Sequence, residues 1–182
     1  MAPKLKGVNL VGYAETVQNL QRFDKETLKV LNAEIYQTVK TTVKEARTLV
    51  PIASPLSGWG KPILIGKWKD RVYNSGKVKS GIKSKIGRQR TRGFYASKTI
   101  FIQSANAAGA IYETAGRKNP DGVTPKGRDF IRAIEAQSGL VVRGKQGRIV
   151  TKTVEDRAPR IENDLRTALN KATAKLNVRL AK

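Results

Sequence analysis

The most regular pattern in the chain starts at Leu28. Leu28, Leu31, Ile35, Val39, Val43, Ala46 and Val50 follow one another in steps of three and four. Such steps lay one apolar stripe along a helix. They predict a helix over about 25–49, ~37 Å long at ~1.5 Å per residue. Asp24 stands where an N-cap is expected, and Glu26 suits the positive end of the helix dipole. Pro51 ends the helix, because the residue before a proline is driven out of the α region. The opposite face carries Lys29, Asn32, Lys40, Lys44 and Arg47. Residues 1–23, with Val8, Leu10, Val11 and Tyr13, are set apart as an N-terminal arm that forms a short strand or packs as it stands.

Periodicity changes after the helix. Residues 51–62 hold Pro51, Pro55, Pro62, Gly58 and Gly60, the composition of a loop. Val78, Ser80, Ile82, Ser84 and Ile86 then share one parity, with Lys79, Lys83 and Lys85 on the other. That alternation describes a strand with one buried and one cationic face. Arg88-Gln89-Arg90-Thr91-Arg92-Gly93 reads as an exposed turn, and Lys98–Ser104 as a second, more buried strand. The two make an antiparallel hairpin with a basic tip.

Ala105–Gly116 predicts a short helix closed by a glycine cap. Arg117–Arg128 reads as polar loop, and Phe130, Ile131, Ala133 and Ile134 return to the core as a strand or a brief helical turn. Leu140-Val141-Val142 and Ile149-Val150 flank Arg143-Gly144-Lys145-Gln146-Gly147-Arg148, which predicts a second hairpin with cations at its tip. Ile161, Leu165, Leu169, Ala172 and Leu176 recur at helical spacing to the end. Pro159 is tolerated only in a first turn, so that helix is expected to begin near it. The fold expected is α+β: a long N-terminal helix, a central antiparallel β-sheet with a short helix, and a long C-terminal helix, with 24–182 as a single domain.

Charge narrows the function. The 182 residues carry 36 basic and 14 acidic groups, a net +22. Residues 61–100 hold 12 basic residues against Asp70 alone. A chain this basic seeks a polyanion or an acidic neighbour. There is no Cys and no His, which excludes disulfides, thiolate chemistry, Cys/His metal sites and imidazole catalysis. Carboxylate chemistry would need clustered acids. Glu155 adjoins Asp156, Glu162 lies two from Asp164, and Asp121 and Asp129 sit in polar loop, so no pair shares a helical face well. No catalytic, cofactor or metal site is expected. No apolar run is long enough to span a bilayer, and no signal-peptide stretch follows the N-terminus.

Lys79, Lys83, Lys85, Arg88, Arg90 and Arg92 on the first hairpin and Arg143, Lys145 and Arg148 on the second loop are the candidate contact residues. A cationic hairpin can track phosphates without reading sequence. It can equally meet an acidic subunit, or simply stay solvated. Arg143–Arg148 lacks the glycine spacing and the Ser/Thr of a phosphate-cradling loop. Trp59 and Trp68 either plug the edge of the core or anchor a subunit contact.

Ala46-Arg47-Thr48-Leu49-Val50-Pro51 at a helix end, then Ala107–Gly116 with Ile111-Tyr112-Glu113-Thr114-Ala115-Gly116, then Phe130–Ile134 before a last long helix, form a recognisable order. It resembles the small head–tail connector proteins of long-tailed bacteriophages, the tail-completion (minor tail component) family. The Thr-Gly usual after that family's proline is replaced here by Ser54-Pro55-Leu56-Ser57-Gly58, and Phe130 lacks flanking prolines. The resemblance implies a structural, non-enzymatic virion protein, assembled in the host cytoplasm. It would be a homo-oligomeric ring subunit in the neck, between the portal side and the tail tube, acting in tail completion or as a tail terminator. Its partners would be neighbouring neck and tail-tube proteins and the packaged double-stranded DNA that passes through the channel. The other expectation, from charge alone, is a nucleic-acid-binding protein of ribosomal or nucleoid type.

Overall fold

The computed structural model describes residues 25–61, 72–89 and 97–180. The arm 1–23, the Asp24 cap, Trp68 and the turn residues Arg90 and Arg92 lie outside them. The architecture is α+β, as expected: a long N-terminal helix, a two-stranded antiparallel sheet flanked by short helices, and a long C-terminal helix.

Helix α1 spans Lys25–Thr48 and buries Leu31, Ile35, Val43 and Ala46 along its apolar stripe. It closes through two three-residue turns, Leu49 N–H to Ala46 O at 3.3 Å and Val50 N–H to Arg47 O at 3.4 Å, before Pro51. The chain re-enters at Tyr73, whose N–H bonds Trp59 O at 2.9 Å. Asn74 then caps the short helix α2, Ser75–Gly81, its side chain accepting from Lys77 N. The expected strand from Val78 is therefore a helix as far as Gly81, and Lys79 sits in its last turn rather than on a strand face. Val78 and Ile82 are four apart and both fully buried. A spacing of four satisfies period 2 and period 3.6 alike, and the Asn74 cap breaks the tie.

Strand β1, Ile82–Gln89, starts without a loop and pairs antiparallel with β2, Ser97–Ser104. Ile82 faces Ser104, Lys85 faces Phe101 and Arg88 faces Lys98. The Arg47 guanidinium donates twice to Ile82 O, at 3.1 and 2.9 Å, and locks the end of α1 to the start of β1. Helix α3, Ala107–Thr114, is capped by Asn106 and followed by Gly116 at φ +90°, a left-handed stop.

Three expectations are corrected beyond this point. Phe130–Ile134 belongs to a full helix, α4, Pro125–Ser138, capped by Thr124, opened by Pro125 and stopped by Gly139 at φ +64°. Residues 140–149 are loop rather than a second hairpin, because Val142 and Ile149 each turn into the core instead of pairing with one another. Helix α5 runs over Val150–Leu180 with Pro159 inside it. That proline is exposed and forfeits one backbone bond, while Thr153 and Arg157 before it and Ala168 and Ala172 after it are buried. Packing on both sides carries the helix through.

Helices α1 and α5 run antiparallel, since Glu45 pairs with Arg157 at 2.8 Å and Glu34 with Lys171 at 3.5 Å. The core has two parts. The main cluster joins Val43, Ala46 and Val50 to Tyr73, Val78, Ile82, Ala108, Tyr112, Ile134 and Ile149. A second cluster, Leu31 and Ile35 against Ala168 and Ala172, lies between the two long helices, and Val39 touches both clusters. Among the described residues no helix is long and apolar enough to cross a membrane.

Candidate functional site

The sheet separates two environments. Ile82 is fully buried, and Ser84, Ile102 and Ser104 are half-buried on the face that meets the core. Their neighbours in sequence, Lys83, Lys85 and Phe101, are exposed on the other face, with Gln103 half-buried beside them. Lys85 is the direct cross-strand partner of Phe101, and Lys83 that of Gln103. Opposite residues in an antiparallel pair stand ~4.5–5.5 Å apart at Cβ, so these four side chains share one surface. Alternation in β1 thus places Lys83 and Lys85 on a cationic face as expected. Phe101, expected in a buried strand, is 48% exposed in the middle of it. Its parity relative to Ile102 was visible in the sequence, but which parity faces the core was not.

The second basic segment is divided. Lys145 is exposed, and Arg143 is exposed but pairs with Glu135 at 2.8 Å. Arg148 is a correction: it is no hairpin tip but a buried cation, 2% exposed. Its Nη1 donates to Tyr112 O and Ala115 O, both at 2.8 Å, at the C-terminal end of α3. That is the end where a cation is favoured and where carbonyls lack helical partners. The guanidinium also lies 5.8 Å from the Tyr112 ring centroid. Its Nε and Nη2 make no hydrogen bond among the described residues. Burial lowers the pKa of Arg148, and the same burial raises that of Tyr112.

Opposite Arg148 stands a residue that sequence reasoning missed. Glu113, 7% exposed, accepts from the N–H groups of Ile149, Val150 and Thr151 and from the Thr151 hydroxyl. It caps the N-terminus of α5 from a position 36 residues earlier in the chain. Arg117 supports it, 3.8 Å away, while donating to Gln146 O and Thr151 Oγ1. The available signal was the absence of any Ser, Thr, Asn or Asp immediately before Val150. A long helix without a local cap needs its orphan donors satisfied from elsewhere. This buried network closes the fold, and its carboxylate is fully engaged by donors.

Trp59 is half-buried, its ring 5.3 Å from Tyr73 and 5.6 Å from Phe130. These contacts seat it at the edge of the main cluster. Among the described residues no three His, Cys, Asp or Glu side chains group as metal ligands would. The exposed chemistry is thus the cationic hairpin face. No protein family, curated protein or solved structure matches the chain.

Proposed function

We propose that this chain is a structural protein of a phage neck: a subunit of a homo-oligomeric ring that joins the portal side of the head to the tail tube around the DNA channel, with no catalysis of its own. The observation that carries the reading is the division of the β1–β2 sheet. One face is welded to a helical core and the other presents Lys83 and Lys85 to solvent. A rigid core that displays lysines on a short sheet suits non-specific contact with duplex phosphates or with a neighbouring ring. Among the described residues the sheet has only two strands, and so short a sheet gains from further pairing or packing, which a ring neighbour provides. Tail completion and tail termination are both served by such a subunit.

Native mass spectrometry of the purified chain tests the ring, and electron microscopy of particles lacking the protein tests the place. A closed oligomer and filled heads without attached tails are expected. Normal joined virions would overturn the reading. The exposed Phe101 favours a second reading, a nucleic-acid-binding protein of nucleoid or ribosomal type. It predicts a monomer whose DNA affinity falls as a power of salt concentration.

A further inference from the structure

We infer that the outer face of the β1–β2 hairpin, built from Lys83, Lys85 and Phe101, is a binding site for single-stranded nucleic acid, with phosphates on the lysines and an unpaired base stacked on Phe101. The inference shares with the proposed function only the contact between this face and nucleic acid, and needs no ring.

Lys85 and Phe101 are direct cross-strand partners, and Lys83 lies two residues along the same face. All three are exposed, so two cations stand on the neighbouring strand on one side of the sheet, one directly across from the ring and one diagonal to it. Neither lysine enters any of the ion pairs found among the described residues.

Charge selects the occupant. Within residues 61–100 the only acidic residue is Asp70, against 12 basic ones. A second copy docked face to face would bring the same lysines to the same face and be repelled. A duplex would satisfy the lysines but leave Phe101 idle, because its bases are stacked inside. A single strand uses both, since an exposed aromatic on a basic surface stacks with any unstacked base. One aromatic among lysines gives a site that tolerates any sequence and distinguishes strand state.

The test measures anisotropy of the full-length chain with a labelled oligothymidylate of about 15 nucleotides and with a duplex of equal length. Single-strand binding is expected to be the tighter. Phe101→Ala should weaken it by about 5- to 100-fold while changing duplex binding less than about twofold. Phe101→Tyr should restore it. Joint Lys83→Gln and Lys85→Gln should reduce the single-strand salt slope by about 1.4. An unchanged circular dichroism spectrum and melting temperature confirm that each exposed substitution folds. Equal loss on both probes, no loss at all, or a change in oligomeric state with oligonucleotide binding intact would overturn the site. The last outcome would make the face a protein contact, and leaves the ring reading standing. A ring with no single-strand preference likewise sinks this site alone.

Discussion

Glu113 and Arg148 exchange helix caps. The carboxylate of Glu113, on α3, accepts the first N–H groups of α5, and the guanidinium of Arg148, two residues before α5, donates to the last carbonyls of α3. Each end of the macrodipole meets the charge it favours, supplied by the other helix's segment. Two elements with no sequence adjacency are thereby held end to end.

Loss of this carboxylate should be costly. Glu113→Ala leaves three buried N–H groups and the Thr151 hydroxyl without their acceptor and removes the counter-charge near Arg117. About 3 kcal/mol of stability should go, lowering the melting temperature by roughly 6–12 °C in a thermal melt. Arg148→Met should cost less, because it also removes a buried cation with two idle donors. Equal losses for the two would contradict the account.

Gly147 is constrained by that same carboxylate. A Cβ there would fall 2.1 Å from Glu113 Oε1 and 2.7 Å from Thr151 Oγ1. Gly147→Ala must expel Glu113, so it should destabilise by about as much as Glu113→Ala, roughly 3 kcal/mol. The double variant should then cost little more than either single one in urea denaturation. Additive losses would show that the clash is relieved elsewhere.

Tyr73 sets a limit at high pH. Burial, with Tyr112 beside it, pushes its phenol from 10.0 up to about 12, and the hydroxyl donates to Pro51 O at 2.5 Å. The folded chain keeps this proton longer than the unfolded chain does. The corresponding stability is whole below pH 10 and is lost as pH rises through about 12. Denaturant midpoints should fall across that window, and Tyr73→Phe should flatten the fall, leaving the part due to Tyr112. A midpoint independent of pH there would refute the shift.

Pro159 should be replaceable with gain. It is exposed, and its ring removes one backbone bond inside α5. Pro159→Ala should raise stability by roughly 1–2 kcal/mol, less than the full ~3 kcal/mol helix penalty because the unfolded chain also regains freedom. A lower melting temperature would mean that the proline itself supports the packing of α5 on α1.

The strongest local patterns match the structure, whereas the strand or turn at Phe130–Ile134, the second hairpin and the helix start near Pro159 do not. The steps of three and four from Leu28 to Ala46 are α1, and Ser97–Ser104 is a strand where Lys98–Ser104 was expected. Where one spacing served two periods, as with Val78 and Ile82, the local pattern misassigned a helix to a strand. The face bearing Lys83 and Lys85 followed from alternation, but Phe101 joined it only once the register placed it opposite Lys85.

Alone, the amino-acid order determined the α+β class, the two long helices, one hairpin and the concentration of positive charge around it. These depend on contacts within a few residues, and periodicity records such contacts. The tertiary structure decided that Arg148 is buried, that Glu113 starts α5, and that α5 runs through Pro159. Each of those depends on partners tens of residues away, whose approach is set by how whole elements pack, and no local spacing encodes that distance.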